Sequence, residues 1–152
     1  MGYKKAAEVM ESAIIRGLNV LGNNVNKRIQ DGLETGKDIN GKAFKELKQS
    51  TKDERSRLGY DERPLIREGK MRGTKKDPAT RSQMKFVISM TGKNRGSHYG
   101  AFHNEGYTTA AKSAWPGKRV PKRKWFGLPK EFVKGGKEMK KIKTQIARTL
   151  LE

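Results

Sequence analysis

Apolar residues recur at three- and four-residue steps through the opening of the chain. Met10, Ile14, Leu18, Leu21, Val25, Ile29 and Leu33 form one stripe, which predicts a single long helix over residues 4–33. Gly17 and Gly22 fall inside it, so a kink or a close helix contact is expected at those positions. Asp31-Gly32 and Thr35-Gly36 end the helix, and Asn40-Gly41 predicts a tight turn. Thr51 and Glu54 have the spacing of a capping box, which predicts a short helix starting there, followed by a loop over Gly59–Arg63. Pro64-Leu65-Ile66 returns an apolar pair to the core, and Met71 is a further buried candidate.

The period then changes. Met84, Phe86, Ile88 and Met90 alternate with Lys85, Val87, Ser89 and Thr91, which predicts a strand. Gly92–Gly96 reads as a turn with Lys93 and Arg95 at its tip. A basic, turn-rich arm over about residues 107–124 follows, with Trp115-Pro116-Gly117 as its tip. Pro129-Lys130-Glu131 predicts the start of a C-terminal helix whose inner face is Phe132, Met139, Ile142, Ile146 and Leu150, with Gly135-Gly136 weakening its first turns. The expected architecture is α+β in one domain over residues 1–152. A long N-terminal helix and a C-terminal helix pack on a small antiparallel sheet, and an extended basic loop or hairpin forms the arm.

Charge changes this picture. The 152 residues are enough for one modest core, but hydrophobic residues make up only 33% of them, low for a self-sufficient globule, and the formal net charge is +19. Residues 1–40 carry six basic and five acidic side chains, whereas residues 112–152 carry thirteen and three. Such an excess repels itself unless an anionic partner lies close, whether nucleic acid, anionic lipid or an acidic protein surface. No apolar run reaches membrane-spanning length, and the first residues lack a signal-peptide core, so neither membrane insertion nor export is expected.

Candidate chemistry is sparse. The chain has no cysteine, and His98 and His103 are its two histidines, with Glu105 the one carboxylate near them in sequence. His103-Asn104-Glu105 has a superficial likeness to a nuclease His-Asn motif but lacks the spacing of further ligands. No glycine-rich phosphate loop, nucleophile elbow or apolar carboxylate pair is present, so no catalytic residue, cofactor or metal is expected. The arm is more informative. Lys118, Arg119, Lys122, Arg123 and Lys124, together with Lys93 and Arg95, are candidates to face DNA or a protein partner. Phe44, Leu47, Met71, Tyr99, His103, Trp125, Phe126 and Leu128 are read as structural anchors.

Four ordered segments resemble the phage virion morphogenesis (tail-completion) family. A Gly-x-x-(Trp or Phe)-x-x-Leu-x-x-Ser-Thr segment is matched by Gly41, Phe44, Leu47, Ser50 and Thr51. A Leu-Ile-x-x-Gly-x-(Leu or Met)-Arg segment is matched by Leu65, Ile66, Gly69, Met71 and Arg72. A Tyr-(Ala or Gly)-x-x-His-x-x-Gly cluster is matched by Tyr99, Gly100, His103 and Gly106, and a closing Pro-x-Arg-x-(Phe)-x-Gly-Leu segment by Pro121, Arg123, Phe126, Gly127 and Leu128. The chain departs from the pattern with Phe44 where Trp is common, Asn104-Glu105 for a Gln-Phe type pair, and Lys122 for a small residue.

The resemblance implies a structural protein of the phage neck, assembled in the host cytoplasm and residing at the head–tail junction of the virion. It implies a homo-oligomeric ring, a hexamer, that completes the tail and joins it to the head around the DNA path. Other neck, tail-tube or head-completion proteins would be its partners, with packaged DNA in the lumen and no membrane. The charge alone leaves two other readings: a small basic protein that binds nucleic acid without sequence preference, and, on His103 and its neighbours, a nuclease.

Overall fold

The computed structural model describes residues 2–66, 73–91, 93–94, 97–113 and 116–151; the side chains of residues 93, 94, 97–99, 149 and 151 fall outside that description. Helices carry most of the order. The long apolar stripe forms α1 (Tyr3–Thr35). A short α2 (Gln49–Arg57) follows, then two strands, β1 (Thr74–Asp77) and β2 (Val87–Met90), which pair with each other. A second pair, β3 (Lys93–Asn94) and β4 (Ser97–His98), runs directly into α3 (Tyr99–Glu105). A third joins β5 (Tyr107–Thr108) to β6 (Arg119–Val120), and α4 (Lys137–Leu151) closes the chain. The architecture is α+β, with a long first helix, a C-terminal helix and small antiparallel hairpins.

Contacts divide the chain into two compact units. The first comprises residues 1–27, 75–89 and 128–152. Its core is Ala13, Val25, Ala79, Phe132 and Ile142. The two helix glycines make close contacts. A methyl group on Gly17 would meet Ile146 Cδ1 at 2.5 Å, and the ring of Phe86 lies against Gly22 with no room for a side chain. Asn19 fixes residue 79 from both sides, donating to the Ala79 carbonyl at 3.1 Å and accepting its N–H at 2.8 Å.

Two expectations are corrected in this unit. The strand is four residues rather than eight: Thr80 and Gln83 exchange backbone hydrogen bonds at 3.0 and 3.2 Å just before its predicted start, and the Lys85 N–H turns back to the Gln83 carbonyl at 2.8 Å instead of joining a ladder. Met84 is accordingly exposed. The C-terminal helix begins at Lys137, not at Pro129. Lys130–Phe132 form a separate 3₁₀ turn that buries Phe132, and Gly135 at φ +86° breaks continuity before α4 begins.

The second unit comprises residues 28–74 and 90–127. Its core is Ile29, Leu33, Ile39, Phe44, Leu65, Ile66 and Trp125. The turn at Asn40-Gly41 is closed by Gly41 donating to the Asp38 carbonyl at 2.9 Å, while the Asp38 carboxylate accepts the N–H groups of Asn40 and Lys42. The expected capping box does not form. Helix α2 starts at Gln49, two residues before Thr51, with Lys48 as an extended N-cap that makes no side-chain cap. The Lys48 carbonyl instead accepts from Thr51 and Lys52 at 2.9 and 3.1 Å.

Candidate interaction surface

The basic arm is a hairpin tied at its base. Tyr107 stands opposite Val120 and Thr108 opposite Arg119. The ladder continues one step, with Thr109 donating to the Lys118 carbonyl at 2.9 Å. The Thr109 side chain adds a second tie, its hydroxyl oxygen accepting the N–H of Lys118 at 2.8 Å. Gly117 donates to the Thr109 carbonyl at 3.1 Å, which completes the turn. The predicted tip residue Trp115 lies outside the described residues.

After β6 the chain runs along α3. Gly106, at φ +74°, allows this approach: a side chain there would meet the Lys122 backbone nitrogen at 2.9 Å. Arg123 donates its N–H to the His103 carbonyl at 2.8 Å, and Phe126 donates its own to the Asn104 side-chain oxygen at 3.1 Å. The departure from the family pattern at Asn104 thus has a structural use. Trp125 is 1% exposed, and its indole N–H donates to the Gly100 carbonyl at 2.9 Å. Gly100 is small because the Trp125 ring and Met90 occupy the space a side chain would need. Trp125 and Phe126 meet edge-on at 5.5 Å.

The candidate cations separate into two groups. Lys118, Arg119, Lys122 and Lys124 are exposed, and Lys122 pairs with Glu105 at 2.8 Å. That hydrogen bond holds the Glu105 carboxyl below its ordinary value. Arg123 is different, because it is buried rather than exposed. It is 7% exposed, and its guanidinium donates to the Lys45 carbonyl at 3.3 Å. The backbone sets this: Arg123 is tied to the His103 carbonyl and the Trp125 N–H donates to the Arg123 carbonyl at 2.8 Å, so residues 123 and 125 are buried while residues 122 and 124 are exposed. Burial lowers the Arg123 pKa, yet a guanidinium stays charged at neutral pH. Lys93 pairs in backbone register with His98; the Lys93 side chain and all of Arg95 lie outside the described residues.

The expected anchors also separate. Phe44 is buried, Leu47, His103 and Phe126 are partly buried, and Met71 and the side chain of Tyr99 lie outside the described residues. Leu128 is 51% exposed rather than buried, because the residue beside it, Pro129, takes the inward position. Burial pushes the His103 imidazole down to about 4, and the neighbouring cations Arg123 and Arg55 add to the shift. A neutral His103 meets the Tyr107 ring edge-on at 5.6 Å. Among the described residues no group of three or more His, Asp or Glu could hold a metal ion, and no helix is long and apolar enough to cross a membrane.

Arg55 was not singled out by the sequence. One of its guanidinium nitrogens donates to the carbonyls of Asp61, Arg63 and Ile66 at 2.9, 3.0 and 3.0 Å. It clasps a loop in which Leu65 sits at φ +69°, a region a leucine rarely adopts. The one sequence signal was a basic residue close before a Pro-containing loop.

No curated protein and no solved structure matches the chain. A family does. Residues 5–150 match the phage virion morphogenesis family. With that match over nearly its whole length, the chain belongs to the phage virion morphogenesis family and is a structural component of phage virion assembly.

Proposed function

We propose that this chain acts in the neck of a tailed phage, as a homo-hexameric ring that completes the tail and joins it to the head around the DNA path. The observation that carries the reading is the hairpin of residues 107–120 with the strap that follows it. Trp125 and Arg123 anchor the strap inward, and Lys118, Arg119, Lys122 and Lys124 are presented outward. A cationic surface carried on buried anchors suits contact with an anionic neighbour in an assembly that surrounds DNA.

Helix α1 supports the ring. Tyr3, Val9 and Met10 are 98, 38 and 51% exposed, which leaves apolar surface for a neighbouring subunit to cover. A heterologous interface that repeats by rotation closes into a ring. The reading assigns no catalysis to His103, which is held neutral against Tyr107.

Native mass measurement on the purified chain, with a salt titration of duplex DNA binding, tests the proposal. Discrete rings together with weak DNA binding by the monomer are expected. Tight sequence-independent DNA binding by a chain that forms no rings would return the reading to a free nucleic-acid-binding protein. A nuclease activity abolished by His103→Ala would overturn both.

A further inference from the structure

Beside β6 lies a groove of about 780 Å³. One wall is the segment Lys45–Lys48, and the other is Lys118–Arg123. We propose that this groove binds an extended, acidic segment of a partner protein in which carboxylates alternate with aliphatic side chains. The inference rests on the reading of the chain as an assembly component and names the chemistry of its partner.

Charge indicates the acidic part. Two of the charges on the groove are already neutralised: Glu46 by Lys52 at 2.9 Å, and Lys122 by Glu105 at 2.8 Å. Among the described residues, Lys45, Lys48 and Arg119 have no carboxylate partner. Arg123 lines the same groove, buried and cationic, and its Nε–H has no acceptor among the described residues. A buried guanidinium with a spare donor and no facing carboxylate is a place an anion would stabilise.

Main-chain geometry indicates an extended occupant. In an antiparallel ladder, bonded and non-bonded pairs alternate. Thr109 bonds to Lys118, so Tyr107 and Val120 form the next bonded pair, and the N–H and C=O of Arg119 point away from β5. On the other wall, no described hydrogen bond uses the N–H of Lys45, Glu46 or Leu47. Each wall therefore offers backbone groups to a strand lying between them. The apolar lining of Leu47, Val120 and Pro121 accounts for the alternation: in a strand, every second side chain would turn toward it and the others toward the lysines. The same lining disfavours nucleic acid, since it carries no aromatic ring on which a base could stack.

The test is fluorescence anisotropy on the full chain. The probe is a labelled peptide alternating glutamate and valine over about eight residues, which spans roughly 26 Å when extended. Its block isomer, with all glutamates before all valines, is the control, and oligothymidylate is the competitor. The alternating peptide should bind about tenfold tighter than the block isomer, and Lys45→Glu with Arg119→Glu should remove about tenfold or more of that affinity. Lys4→Glu with Lys5→Glu should leave it unchanged. All four side chains are exposed, and circular dichroism checks folding; Lys45→Gln with Arg119→Gln supplies a milder pair. Equal binding of the two peptides, no effect of the groove variants, or displacement by oligothymidylate with the same loss in the variants would each overturn the inference. Rings that form in a chain that does not bind the peptide would strike the groove alone. Peptide binding by a chain that forms no rings would strike the neck reading alone.

Discussion

The indole N–H of Trp125 reaches across 25 residues of sequence to the carbonyl oxygen of Gly100, at 2.9 Å, in a fully buried bond. The tryptophan ring fills the space that a side chain at residue 100 would take. Together with the bonds from Arg123 to His103 and from Phe126 to Asn104, this contact joins the strap carrying the exposed cations to helix α3.

Trp125 should therefore matter more than its aromatic neighbour. Trp125→Ala is expected to cost about 3–5 kcal/mol in chemical denaturation, the range for a buried large aromatic. Trp125→Phe should cost about 1–3 kcal/mol, because the Gly100 carbonyl loses its donor while most of the ring remains. Phe126 is only partly buried, so Phe126→Ala should cost less than Trp125→Ala. The reverse order would mean that the anchor has been misplaced.

His103 gives stability a pH dependence. The unfolded imidazole takes up its proton near pH 6.5 and the folded one near 4. Between those values the unfolded state binds more protons, so stability is full above 6.5 and falls as the pH drops towards about 4. The loss should reach about 3 kcal/mol at most. Denaturation curves at several pH values should show this slope, and His103→Gln should flatten it. An unchanged slope in the variant would remove His103 as its source.

Arg55 clasps a strained loop with a planar, charged donor. Arg55→Lys keeps the charge but loses the fixed donor geometry, and a destabilisation of about 1.5–3 kcal/mol is expected. Limited proteolysis should show cleavage moving into residues 60–66. A variant with wild-type stability and the wild-type cleavage pattern would show that the clasp contributes little.

The hairpin should exchange hydrogens unevenly. The N–H groups of Thr109, Gly117 and Lys118 are bonded, whereas Ala111 and Lys112 donate no described backbone bond. Exchange should be slow at the base and fast at residues 111 and 112 in the free subunit, and slow at both after assembly. Thr109→Ala should speed exchange at Lys118. Uniform exchange along the hairpin would rule out a tied base.

Charge reversal should separate assembly from folding. Arg119→Glu with Lys124→Glu alters exposed side chains, so the monomer should keep its melting temperature while the yield of joined particles falls. Arg123 is unsuitable for this test, since its buried guanidinium makes folding itself the first casualty. Normal numbers of tailed, infectious particles from the double variant would make these cations dispensable.

The sequence by itself determined the elements whose information is local. The three- and four-residue steps from Met10 to Leu33 marked α1 within two residues at each end, because a helix face repeats on the scale of its own turn. The Asn40-Gly41 turn and the basic arm were legible for the same reason, and the four short segments sufficed to place the chain in its family. What the sequence left undecided lay in contacts between distant residues. A run of five basic side chains in seven positions gave no sign that Arg123 points inward while Lys122 and Lys124 point outward. That depends on the backbone bond from Arg123 to His103 and on the Lys45 carbonyl that receives the guanidinium, 78 residues away. The competition between Gln49 and Thr51 to open α2, the late start of α4 and the loop held by Arg55 were likewise settled by packing and by carbonyls brought near in the fold. Local propensity differences are small beside the burial of a tryptophan or the solvation of a guanidinium, so where the two conflicted the tertiary structure prevailed.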